Sequence, residues 1–255
     1  MTNRFTWADL STFDVQEAKR FYRQCFGWKY QDIGDGYLAC EAKRKPSAGL
    51  YAMPEKFQRI GMPSFWMSYI HVENIHQTVI AAEKHGAKVE VQPQPAPGGG
   101  LIALIRDPAG ASFTCYEGKA LGEKDKAGTE ARMAWNELHV SNLSKVEPFH
   151  SNVFDWVITP SKEADRYDIR DSLSTNIASI RVTDNELKGD KEYWGVYFSV
   201  ANLQTAIEKI NLTGGEVVAE QRLADRASAL AYDSQGAAFY LIEDKPAMEP
   251  RTNKP

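Results

Sequence analysis

A chain of 255 residues with 43% apolar and 25% charged side chains can bury a full core, as one large domain or two of ordinary size. Its 30 basic and 34 acidic residues leave a net charge of −4 with no long basic block, which excludes the electrostatic footprint of a nucleic-acid binder. No apolar run approaches the roughly 20 residues that span a bilayer. The opening Met1-Thr-Asn-Arg-Phe-Thr-Trp-Ala-Asp lacks a charged-then-apolar leader, so the chain reads as cytoplasmic, with no membrane partner.

In chain order, a strand at about 5–12 leads into a helix at about 15–26, with Val15, Ala18, Phe21, Tyr22 and Cys25 at helical spacing. Asp14 is placed to cap its start and Gly27 its end. Short strands follow at about 28–33, 37–42 and 47–53. The pattern then restarts, with a strand at about 65–72, a helix at about 75–85 ending on Gly86, and strands at about 88–94, 100–106 and 112–117. Pro97-Gly-Gly-Gly100 precedes a strand rather than a helix, so it reads as a hairpin and not a phosphate loop. Residues 119–132 are polar and glycine-bearing, as a linker is. Both units recur at about 133–184 and 192–243. Residues 244–255 carry three prolines and read as a frayed tail.

The recurrence is visible residue by residue. Trp7, Leu10, Phe21, Phe26 and Trp28 meet Trp135, Leu138, Phe149, Phe154 and Trp156 at one offset of 128, and Asp9 meets Glu137. Trp66, Tyr69, Val72 and Asn74 meet Trp194, Tyr197, Val200 and Asn202 at the same offset. Near the end of each half the offset becomes 126, where Asp107-Pro-Ala-Gly110 meets Asp233-Ser-Gln-Gly236. Three paired tryptophans in register mark a duplication. A strand, one helix and three strands do not suit a doubly wound parallel sheet. The expected class is therefore α+β: four βαβββ modules forming two domains, 1–118 and 133–243, each a curved, mainly antiparallel sheet with its helices outside and a cup within.

Such modules resemble the vicinal oxygen chelate superfamily, which holds glyoxalase I, extradiol dioxygenases, fosfomycin-resistance transferases and bleomycin-resistance proteins. Arg20-Phe-Tyr-Arg-Gln-Cys-Phe-Gly-Trp28 is similar to its first helix, and Asp107-Pro-Ala-Gly110 to its turn before the final strand. Trp135-Asn-Glu-Leu138 and Trp66-Met-Ser-Tyr-Ile-His-Val72 resemble segments of its two-domain bacterial glyoxalase-like members. The resemblance implies metal ligands on the first, fifth and eighth strands of a half. Those positions fall on Trp7, Met67 and Thr114, and in the second half on Trp135, Gly195 and Tyr240. Neither set suits a divalent metal. No cofactor is therefore expected, and a divalent metal is left without support from these positions.

Strand alternation puts Trp7, Asp9 and Ser11 on one face, with Met67, Tyr69 and His71 facing them. In the second half Trp135, Glu137 and His139 face Tyr197 and Ser199. Glu137 and His139 would stand roughly 6–7 Å apart, within reach of one metal but without a third ligand. The ligand-binding candidates are Trp7, Asp9, Met67, Tyr69, Thr114, Trp135, Glu137, Tyr197 and Tyr240; Asp9, His71, Glu137 and His139 are the acid–base candidates. His76, His85 and His150 fall on helices or their ends and read as surface or half-buried histidines. Cys25, Cys40 and Cys115, odd in number and widely spaced, read as buried free thiols. Neither a nucleophile elbow nor a Walker sequence occurs.

Two functions fit: a metal-independent protein binding a small molecule in an aromatic pocket with a carboxylate at its base, or a lyase-, dioxygenase- or hydroxylase-like enzyme using a non-standard metal or a metal-free acid–base site. Trp and Asp/Glu paired merely as packing elements is the third account. A monomer or homodimer is expected.

Overall fold

The structure is a computed structural model that describes residues 3–42, 45–119 and 131–244. Most of the expected linker, and all of the expected tail beyond Asp244, lie outside the described residues.

The first half runs β1 (Arg4–Thr12), α1 (Val15–Phe26), β2 (Lys29–Asp32), β3 (Leu38–Ala42), β4 (Lys45–Ala52), α2 (Glu55–Arg59), β5 (Phe65–His71), α3 (Ile75–Lys84), β6 (Lys88–Pro95), β7 (Leu101–Arg106) and β8 (Ser112–Glu117). The second runs β9 (Met133–Val140), α4 (Leu143–Phe154), β10 (Val157–Pro160), β11 (Arg166–Arg170), β12 (Asn176–Val182), α5 (Asn185–Lys188), β13 (Tyr193–Val200), α6 (Leu203–Leu212), β14 (Glu216–Leu223), β15 (Arg226–Tyr232) and β16 (Ala238–Glu243). The long helices start and stop on local chemistry. The Asp14 carboxylate accepts from the N–H groups of Gln16 and Glu17, and Gly27 closes α1 at φ 69°. Asn74, Asn142 and Asn202 cap α3, α4 and α6 in the same manner. The short helices α2 and α5, each between two modules, were not among the expected elements; at 5 and 4 residues they are too brief to show a periodic face.

Each half is one eight-stranded sheet, ordered β2-β3-β4-β1-β5-β8-β7-β6 and β10-β11-β12-β9-β13-β16-β15-β14. In the first, β1–β4 and β5–β8 run parallel and the other pairings antiparallel, and the second repeats this. The fold is thus the expected α+β arrangement of two glyoxalase-like sheets. Pro97–Gly100 lies in the turn between β6 and β7, as its flanks implied.

The helix-bearing faces of the two sheets make the cores jointly. Phe21, Tyr22, Trp28 and Trp66 of the first module and β5 pack with Phe198, Ile210 and Phe239 of the fourth module. Phe5, Ile70 and Phe113 pack with Phe149, Phe154, Trp156 and Trp194. A fully buried ring contributes roughly 1.5–3 kcal/mol, whereas a cross-half hydrogen bond such as Trp28 Nε1 to the Ala131 carbonyl contributes about 1 kcal/mol. Apolar packing therefore joins the halves.

One expectation fails here. His150 is 0% exposed, not surface or half-buried, because the face of α4 that carries it is covered by the first half. Its ring lies 5.5 Å from that of Trp156, and its Nε2 is 3.4 Å from Asp107 Oδ2. Tyr22 holds the equivalent place in α1 and donates to Asp233 Oδ2 at 2.9 Å.

Candidate functional site

The two helix-free faces carry the paired carboxylates. On β1, Ala8 and Leu10 point into the joint core, so Trp7, Asp9 and Ser11 point the other way. Phe5 would follow Trp7 by strict alternation, but a register shift between them turns it into the opposite core.

Asp9 is 1% exposed. Its Oδ2 accepts from the Tyr69 hydroxyl at 2.6 Å and from the Tyr37 hydroxyl at 3.2 Å. The Tyr37 oxygen accepts in turn from Trp7 Nε1 at 2.9 Å. The Tyr37 ring stacks on Tyr51, with centroids 5.8 Å apart. Gly49, which pairs with Asp9 across β1–β4, makes room for this: a Cβ there would stand 1.9 Å from the Tyr37 hydroxyl. Asp9 Oδ1 is buried without a hydrogen-bond partner. Burial pushes the Asp9 carboxyl up to about 7, against the pull of the Tyr69 and Tyr37 hydroxyls. Among the described residues no lysine or arginine is paired with it.

The other first-half candidates surround this group unequally. Met67 is opposite Asp9 in register, and Thr114 is opposite Tyr69. Trp7, Tyr69 and Tyr116 form a small cluster with Met67 and Ile102 against it. His71 lies four residues along β5 from the level of Asp9, roughly 13 Å of strand. Its Nε2 is 2.9 Å from the Gly118 carbonyl oxygen.

In the second half Glu137 is 0% exposed. Its Oε2 is 2.8 Å from Arg166 Nε and accepts from the Ser179 hydroxyl at 2.7 Å. Its Oε1 accepts from Tyr197 at 3.1 Å and from Arg166 Nη2 at 3.3 Å, with Arg181 Nε at 3.5 Å and His139 Nε2 at 3.6 Å. Trp135 Nε1 donates to Ser179 Oγ at 2.9 Å. Arg166 and Arg181 both reach Glu163 as well. His139 stacks on Tyr193 and Tyr240, whose hydroxyls are 3.0 Å apart. Burial opposes the charge on Glu137, but the positive surroundings and the Ser179 hydroxyl hold its carboxyl below the usual range. Burial drives His139 down to about 4, so it is neutral near pH 7 and the two guanidiniums balance the carboxylate.

Strand register matches the two sites position by position. Ser179 pairs with Glu137 as Gly49 pairs with Asp9, so Arg181 corresponds to Tyr51. Arg166 pairs with Arg181, in the place from which Tyr37 stacks on Tyr51. The sequence reading found both carboxylates and missed these four partners. Gly49 to Ser179 is an offset of 130, not 128, so a fixed-offset alignment sets the wrong residues side by side. Alternation along β4 and β12, read from Gly49 and Ser179, is the signal that would have found Tyr51 and Arg181.

The superfamily's metal positions do not fit a divalent ion. Trp7 offers an indole N–H already given to Tyr37, and a Cβ on Gly195 would stand 2.6 Å from the Tyr240 ring. No group of three or more His, Cys, Asp or Glu converges among the described residues. At Glu137 and His139, the arginines already engage both carboxylate oxygens. A surface cleft of about 300 Å³ lined by Gln24, Cys25, Gly27, Thr205 and Lys209 lies between α1 and α6, apart from both carboxylates. No helix among the described residues is long and apolar enough to cross a membrane.

Comparison with known proteins agrees with the architecture. The protein named "Putative glyoxylase CFP32" from Mycobacterium tuberculosis is 26% identical, over 94% of each chain. "Anthracycline biosynthesis protein DnrV" from Streptomyces peucetius is 22% identical over 93% of this chain and 92% of its own. Among solved structures, the Mn(II)-bound glyoxalase from Novosphingobium aromaticivorans aligns with a TM-score of 0.68 at 13% identity, covering 95% of this chain and 82% of that one. The 2,3-dioxygenase LapB from Pseudomonas sp. KL28 gives 0.67 at 12%, covering 100% and 96%. Residues 4–114 match the family model described as "Glyoxalase/Bleomycin resistance protein/Dioxygenase superfamily". Residues 4–114 thus match the glyoxalase/bleomycin resistance protein/dioxygenase superfamily, the second half repeats the same sheet order, and the whole chain shares the fold of these solved structures.

Proposed function

We propose that this protein binds a small molecule on the helix-free face of its first half, with Asp9 as the polar handle and without a metal at the superfamily's positions. The observation that carries this is the state of Asp9. It is buried among Trp7, Tyr37 and Tyr69, one oxygen has no partner, and no cation balances it among the described residues. A buried carboxylate left so is costly to the fold, and a ligand group that completes its bonding repays that cost. Glu137 has no such deficit, which favours the first half as the binding half.

The test is a thermal-shift panel of aromatic compounds on the wild type, Asp9→Asn and Trp135→Phe. A binder should raise the melting temperature of the wild type and of Trp135→Phe, and not that of Asp9→Asn. Stabilisation that survives Asp9→Asn and disappears with Trp135→Phe would move the site to the second half.

One observation favours a second reading, an acid–base enzyme. A carboxyl near 7 is poised to take and return a proton at neutral pH. In that case a bound carbonyl compound would exchange its α-hydrogen with heavy water, and Asp9→Asn would abolish the exchange.

A further inference from the structure

We infer that the ligand of the Asp9 site carries an organic cation, a guanidinium or ammonium group, which takes beside Asp9 the place that Arg166 and Arg181 take beside Glu137. The inference rests on the reading of the first half as the binding half and adds the chemical class of the ligand. The molecule carries its own reference. Two homologous carboxylates stand at one register position, each with a tyrosine hydroxyl from the equivalent strand, Tyr69 in one half and Tyr197 in the other. In the second half the chain supplies two guanidiniums to that carboxylate, from β11 and β12. In the first half the matching positions are Tyr37 and Tyr51, and Ser179 is replaced by Gly49. The carboxylate has been kept while the cations built into the chain are absent.

The replacements also suit a cation. Tyr37 and Tyr69 turn uncharged hydroxyls to Asp9 and Tyr51 stacks on Tyr37, so no built-in cation competes with a guanidinium or alkylammonium group for the carboxylate. A second negative charge beside Asp9 would be repelled, so an anionic ligand group is disfavoured there. A neutral ligand could donate a hydrogen bond to Oδ1 but would leave the buried charge unbalanced. Tyr37 touches Asp9 and is itself partly exposed, so it connects the carboxylate to solvent. Displacing the Tyr37 hydroxyl would open both carboxylate oxygens to the cation, so that Oδ1 gains its missing partner while the Tyr69 bond stays in place.

The probe pair is benzylguanidinium and its neutral near-isostere benzylurea, titrated calorimetrically into the full chain. Benzylguanidinium should bind the wild type at least about tenfold more tightly than benzylurea, a difference of about 1.4 kcal/mol. Asp9→Asn should erase the preference. Tyr37→Arg, which transplants the second-half arrangement, should abolish benzylguanidinium binding while the melting temperature stays at or above that of the wild type. Equal affinity for the two compounds, both lost in Asp9→Asn, would overturn the cation and leave the small-molecule site standing. Undiminished benzylguanidinium binding in both variants, or no binding of either compound to the wild type at millimolar concentration, would overturn the cation as well. The wider panel on Trp135→Phe then decides separately whether any site remains.

Discussion

Asp9 and Glu137 descend from one position and meet opposite surroundings, which gives them opposite dependence on pH. The folded protein keeps a proton on Asp9 that the unfolded chain releases above its ordinary 3.8. The stability that Asp9 contributes should therefore fall as pH rises from about 4 to about 7 and level off above. At roughly 1.4 kcal/mol per unit, the decline is on the order of 4 kcal/mol. Denaturant titrations across that window should show it as a stability difference between the wild type and Asp9→Asn that shifts towards the variant as pH rises. His139 acts in the other direction. Its folded value of about 4 lies below 6.5, so its contribution is complete above 6.5 and lost as pH falls towards 4. His139→Phe keeps the stacking on Tyr193 and Tyr240 and should remove that acid-side loss. Arg166→Met leaves Glu137 with a weaker partner, Arg181, in a buried place. It should cost about 3 kcal/mol in urea unfolding, since breaking a buried pair strands the remaining charge. The carboxylates were legible in the sequence because the first strands of the halves align without a gap. Their tyrosine and arginine partners were not, because they reach the site through strand pairing across loops of unequal length.

Among the elements, the strands beside the carboxylates carry close steric constraints. Gly49 in β4 and Gly195 in β13 each sit where a methyl group would strike a tyrosine, Tyr37 in one case and Tyr240 in the other. Gly49→Ala should push the Tyr37 hydroxyl off Asp9 and Trp7, costing 1–3 kcal/mol, roughly, and raising the Asp9 carboxyl further as it loses a donor. Carboxylate-resolved NMR titration would report that upward shift, and an unchanged value would mean that Tyr37 has room to yield in place. Helix α1 and its caps were readable from Asp14, Gly27 and the spacing of Phe21, Tyr22 and Cys25, because a helix start and a buried helix face are local patterns. The register shift between Phe5 and Trp7 was not readable, since alternation alone predicts both on one face.

For the molecule as a whole, the duplication was plain from paired tryptophans, yet it did not disclose that each core is shared between halves. Trp28 and Phe21 show an apolar face, and nothing local says whose sheet covers it. The structure answers with Phe198 and Phe239. Residues 1–118 alone would therefore expose the apolar face that the second half covers. That fragment should elute as a dimer or aggregate in size-exclusion chromatography, and a stable monomer would mean that the shared cores are dispensable.

The sharing has a topological consequence. The first module is bound to the second by β1–β5, the second to the third by the core around Phe113 and Phe149, the third to the fourth by β9–β13, and the fourth back to the first by the core around Phe21 and Phe239. The four modules close into a ring in which sheet seams and apolar seams alternate. A ring has no intrinsic first member. A circular permutant that starts at the third module and ends at the second keeps every seam, and so keeps Asp9 between Tyr37 and Tyr69, whichever connection along the chain is opened.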